Sequence, residues 1–186
     1  MANEKVQEIP IANVARVEIV TEELTAKTYQ VSTANEAKIE AFVSEGEEKE
    51  LRKGNRLLAQ LKTEDLIKGY NVTLKDLTMI PQVYAIIDGG VSAADPEGST
   101  FKSYTGPKVG EALSRTPFTL NIYTEEKDGD GETKGYLKLS CQHCKGTPAS
   151  IEIKDGDFCA PEYKMKSRPK IGEAPLSISY LTELPT

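Results

Sequence analysis

The sequence predicts a mainly β protein, two packed antiparallel sheets forming a sandwich or partial barrel with one flanking α-helix. Three observations predict it. Apolar and polar residues alternate with a period of two in about eight separate segments. Gly, Pro and Asp-Gly turn signals divide those segments, and a single stretch carries helical periodicity. At 186 residues with 38% hydrophobic composition, the chain is long enough for one core and short for two domains. No internal repeat is visible.

Taken in order, residues 1–12 mix charge with Pro10 and show no sustained period, so they read as an N-terminal arm. Residues 13–165 read as the β domain, opening with a strand from Val14 to Val20. From Lys38 to Val43 the alternation places Ile39, Ala41 and Val43 on one side and Lys38, Glu40 and Phe42 on the other. The charged run SEGEEKELRKGNR, residues 44–56, is bounded by Gly46 and Gly54 and reads as a solvated loop without an apolar face. Two strands follow, Leu57 to Leu61 and one carrying Tyr70, Val72 and Leu74.

The helix is expected over Leu77 to Ile87, with Thr78 as N-cap, Pro81 in the first turn and Gly89-Gly90 as terminator. Met79, Ile80, Val83, Ile86 and Ile87 give it one apolar stripe for packing on a sheet. Residues 91–114 are rich in Gly, Ser, Pro and Ala and read as a long connection. Phe118, Leu120 and Ile122, then Leu137, Leu139 and Cys141, mark two strands around EEKDGDGETKG, whose Asp-Gly pairs predict a hairpin. Ile151 with Ile153, Tyr163 with Met165, and Leu176 with Ile178 and Tyr180 continue the period. Residues 166–186 read as a C-terminal arm with a last strand.

Composition excludes more than it identifies. A net charge of −6 disfavours gripping of nucleic-acid phosphates. Trp is absent and aromatics make up 6%, which leaves little for base or sugar stacking. The N-terminus lacks the basic and apolar pattern of a secretory signal, so synthesis and retention in a cytoplasm are expected. Cys141, Cys144 and Cys159 are then expected as free thiols.

CQHCKG could form half a zinc knuckle, with His143 and Cys159 as further ligands. The second CxxC is missing and His143 lies between the cysteines, so small packing residues at a strand end are the reading adopted. DGDGE, Asp128 to Glu132, opens like a calcium loop but lacks the later ligands and reads as a hairpin tip. His143 is the single histidine, and the paired carboxylates lie in charged runs with no apolar wall to raise a pKa. No catalytic residue, metal or cofactor is expected, and the chain reads as a non-enzyme.

Two blocks of sequence carry a family resemblance. EAKIEAFVSEGEEKELRKGNRLLAQLKTEDLIKGYNVTLKDL through IPQVYAIIDGG resembles the strand, loop, strand, strand and helix core of the major tail, or tail tube, proteins of tailed bacteriophages and related prophage elements. CKGTPASIEIKDGDFCAPEYKMKSRPKIGEAPLSISYL is similar to their C-terminal half, with its Gly-Thr-Pro turn, Asp-Gly-x-Phe hairpin, Ala-Pro, and Ser-Arg-Pro before a last strand. The succession of features across the two blocks carries the likeness more than any one motif.

The resemblance implies a tail-tube-like fold, hexameric rings stacked into a tube, and a channel for DNA ejection. Partners implied are further copies of the chain and the tape measure and tail terminator proteins, with DNA only in transit and no membrane. The implied location is the virion tail, reached from the host cytoplasm during assembly. Ring-stacking residues would be Glu45, Glu47, Glu48, Lys49, Glu50, Arg52, Lys53, Asn55 and Arg56. Glu40, Glu45, Glu47 and Glu48 would face the lumen, and Ile9, Ile11, Arg168, Ile171 and Leu176 would make arm contacts. Two other readings fit the same sequence, a tube subunit of a tailocin or secretion apparatus and a monomeric β-sandwich binding module.

Overall fold

In the computed structural model, residues 7–95 and 100–185 are described; the expected arm's first six residues, part of the 91–114 connection and Thr186 lie outside them. The architecture grows from the hairpin that the Asp-Gly pairs announced. β9 (Phe118–Lys127) and β10 (Thr133–Gly146) pair antiparallel with Ile122 opposite Leu139 and Leu120 opposite Cys141. The Asp128 carboxylate fastens the turn, accepting from the amides of Asp130 at 3.0 Å and Glu132 at 2.9 Å. Phe118, Leu120 and Ile122 point inward and are buried, as the alternation requires.

β1 (Ile11–Thr21) joins the far side of β9, with Val17 opposite Ile122 and Ile19 opposite Leu120, and β2 (Thr28–Val31) pairs with β1. β3 (Ala34–Ser44) and β6 (Leu66–Asp76) form a second antiparallel pair, extended by β11 (Glu162–Ser167). β10 connects these groups. Its 14 residues pair through Tyr136–Cys141 with β12 (Leu176–Leu181), then through Cys144–Gly146 with β11. Between the two runs His143 takes a φ of 49° and the register with β9 shifts.

The resulting order is β2-β1-β9-β10-β11-β6-β3, with β12 beside β10. The fold is mainly β and antiparallel, consistent with the expected sandwich, though one eight-stranded sheet supplies both layers because β10 is long enough to serve each. Val17, Ile19, Leu120 and Ile122 share one buried core with Val72, Leu74, Tyr163 and Met165. Cys141 and Cys144 lie in this core, fully buried, and burial pushes the Cys141 thiol up to about 11.

Helix α1 (Pro81–Asp88) packs Val83 and Ile87 into the same core. Thr78 does not cap it. The N-cap is Ile80 without a side-chain hydrogen bond, and the Thr78 hydroxyl lies 2.7 Å from that of Thr33. Pro81 at the start presets the helical φ, so the turn forms without a capping oxygen. Gly89 ends the helix as expected, left-handed at φ 88°, its amide donating to the Ala85 carbonyl. Gly146 lets β10 meet this helix. A Cβ there would lie 2.1 Å from the Ile87 carbonyl oxygen.

Several expectations fail for identifiable reasons. Segment 44–56, read as a loop, contains β4 (Glu48–Lys53), which pairs with β5 (Arg56–Lys62). Segment 91–114, read as a connection, contains β7 (Val91–Ala94) paired with β8 (Phe101–Thr105). The Tyr104 hydroxyl donates to Asp88 and its ring meets Tyr84 edge-on at 5.0 Å, which fastens this hairpin to the helix. Ile151 and Ile153 form no strand and are exposed. The segment before β11 reaches it only through a single bridge, Ser150 to Glu162. In β3 the expected inward side gives out after Ile39: Ala41 and Val43 are exposed, whereas Phe42, on the other side, is half-buried beneath the Arg168 guanidinium.

Candidate assembly surfaces

The charged run that precedes β5 builds a hairpin standing clear of the sheet. Every residue from Glu48 to Lys53 and from Arg56 to Lys62 is exposed. A clasp closes its base: the Glu47 amide donates to the Thr63 hydroxyl at 2.7 Å, and the Gly46 amide to the Asp65 carboxylate at 2.8 Å. Gly54-Asn55 turns the chain at the tip.

Cross-strand register sorts the hairpin's side chains. Lys49 faces Leu61 and Leu51 faces Ala59, which places Leu51, Ala59 and Leu61 on one face. Glu48 faces Lys62 and Glu50 faces Gln60 on the other. Glu48 accepts from Gln60, and Glu50 pairs with Arg52, so the polar face satisfies itself. Among the described residues, nothing covers the apolar face. Leu51 is 61% exposed and Leu61 63%, and the apolar exposure continues at the hairpin's base through Val43, Leu66 and Ile67.

No family model matches the sequence, and no curated protein does. Among solved structures, the chain is similar to one in the "Cryo-EM structure of the anti-feeding prophage (AFP) baseplate, 6-fold symmetrised". The TM-score is 0.42 at 9% identity, over 96% of this chain and 97% of that one. A TM-score below 0.5 gives this likeness no bearing on function.

Glu45, Glu47, Glu48, Lys49, Glu50, Arg52, Lys53, Asn55 and Arg56 lie on the hairpin or at its base. Glu40 lies apart from them, exposed on β3 and paired with Lys38 at 2.9 Å. The arm residues scatter. Ile9 is half-buried just before β1, while Ile11 belongs to β1 itself, opposite Glu126. Arg168 stacks over the Phe42 ring at 4.7 Å, and Ile171 is fully exposed. Leu176 opens β12 opposite Cys141 and packs against the chain's own core.

Sequence reasoning missed Leu51 and Leu61 as a surface. The signal was present in Leu51, which lies eight positions before Ala59 and across a Gly-Asn turn from it. The outward face of β3, β6 and β11 is polar throughout its central rows, with Glu40 beside Asn71 and Lys166, and Lys38 beside Thr73 and Lys164. Among the described residues, no helix is long and apolar enough to cross a membrane.

Proposed function

We propose that this chain is a non-enzymatic structural subunit of a phage tail tube, assembling into stacked hexameric rings around a channel for DNA. The observation that carries this reading is the β4–β5 hairpin. A two-stranded ribbon is marginal in water unless its apolar side is covered, and this one presents Leu51 and Leu61 to solvent. Coverage by the next subunit orders the hairpin and joins successive rings, with Glu45 through Arg56 forming its polar rim. The outward face of β3, β6 and β11, including Glu40, is polar, and three of its lysines, Lys38, Lys75 and Lys164, are each paired with a glutamate, which suits a hydrated bore.

The test is removal of the hairpin as a unit. Excising residues 47–53 alone would strand β5 without its partner, so residues 47–63 are replaced by a short Gly-Ser link. The shortened protein is expected to melt as the parent does and to show no rings or tubes in negative-stain micrographs at concentrations where the parent forms them. Tubes from the shortened protein would overturn the reading.

A further inference from the structure

β10 ends beside a basic cavity of about 330 Å³ lined by Arg115, His143, Lys145, Thr147, Lys166 and Arg168. Lys145 and Lys166 face each other directly across the β10–β11 pair, an arrangement of like charges that destabilises a sheet. Among the described residues, none of Arg115, Lys145, Lys166 and Arg168 has a carboxylate ion-pair partner. Arg115 Nε is buried and has no hydrogen-bond partner among the described residues. Glu22 is the nearby acid, and it is engaged by His143, whose backbone amide and Nδ1 meet its two oxygens at 3.0 and 2.8 Å. In a chain of net charge −6, four cations around one cavity lack a counter-charge.

Carboxylates without an ion pair lie at the other end of the same strand. The turn before β10 exposes Asp130 and Glu132, whose amides bond to Asp128 but whose carboxylates make no ion pair among the described residues. The hairpin acids Glu47 and Glu50, by contrast, are already paired with Lys49 and Arg52. We infer that the cavity is a carboxylate-binding site occupied by Asp130 and Glu132 of a second copy of this chain.

Because tip and cavity lie at opposite ends of β10, the contact is head-to-tail. Each docked copy leaves its own tip and cavity free to continue, so the contact propagates. This inference rests on the tube reading above and adds an electrostatic contact that the apolar hairpin does not provide.

The test reverses the charges in turn on the full chain and follows assembly by sedimentation and negative stain. Lys145→Glu with Lys166→Glu, and separately Asp130→Lys with Glu132→Lys, are each expected to raise the concentration needed for assembly by about tenfold or more. All four changes in one chain are expected to return it to within about threefold of the parent. All four side chains are exposed, and unchanged melting verifies folding; Lys145→Gln with Lys166→Gln supplies a milder variant with a smaller loss.

If the parent forms tubes and the reversed variants do so equally well, the inference falls and the tube reading stands. Failure of the fourfold variant to recover overturns the pairing with Asp130 and Glu132. Unchanged assembly with lost retention of single-stranded DNA would assign the cavity to a phosphate and also overturn it. A parent that stays monomeric at low salt and high concentration sinks both readings.

Discussion

The eight-stranded sheet and the β4–β5 hairpin are both antiparallel β structure, yet they are stabilised in opposite ways. In the sheet, Val17, Ile19, Leu74, Phe118 and Leu120 are completely buried, and each strand carries one face of a shared core. In the hairpin no side chain is buried, and an apolar face equal in kind to the sheet's own lies in solvent. The difference teaches that pairing and burial are separable. The sheet's stability is internal to the chain, whereas the hairpin's apolar energy is unspent in the monomer and available to a partner.

Substitutions that exchange the two behaviours test this contrast. Phe118→Ala removes a large core side chain and is expected to cost about 3–5 kcal/mol in urea unfolding. Gly146→Ala forces a methyl group against the Ile87 backbone and is expected to cost about 1–3 kcal/mol, seen as a lower melting temperature. Leu51→Ser with Leu61→Ser should change monomer stability by no more than about 0.5 kcal/mol, while assembly measured by light scattering is strongly reduced. A large loss of monomer stability in that double variant would show that the hairpin folds against its own chain.

The smallest expected effect is electrostatic. Asn13 and Lys127 hold the Glu125 carboxyl below its ordinary pKa, so their contribution is complete above the carboxylate range and fades as pH falls through it. Glu125→Gln is therefore expected to lower stability slightly at pH 7 and to match the parent only in acid below the depressed pKa of Glu125. A gap that widens in acid would contradict this.

The sheet was legible because its signals are local. Phe118, Leu120 and Ile122 alternate without interruption, and Asp128 with its glycines announces the turn. Segments whose fate depends on what surrounds them were not. Ile151 and Ile153 alternate as convincingly as Tyr163 and Met165, but they stay exposed and only Ser150, just before them, bridges to β11. Conversely, Glu48 to Lys53 looks like a solvated run, and its strand appears only when Leu51 is set opposite Ala59. The basic cavity draws on three stretches far apart in sequence, Arg115, His143 with Lys145, and Lys166 with Arg168, the last two joined by the pairing of β10 with β11.

The pairing of β1 with β9 also sets a schedule. Ile19 meets Leu120, about a hundred residues later in the chain, so ribosomes working at about 5–20 residues per second leave that edge of β1 vacant for roughly 5–20 s. β2 closes the opposite edge at once, since Val31 reaches Val17 through a local hairpin. Newly made chains therefore pass through an interval in which one half of the sheet exists as a ribbon awaiting its centre. Slower folding than helical proteins of this size, and sensitivity of the soluble yield to growth temperature, follow from that order of synthesis.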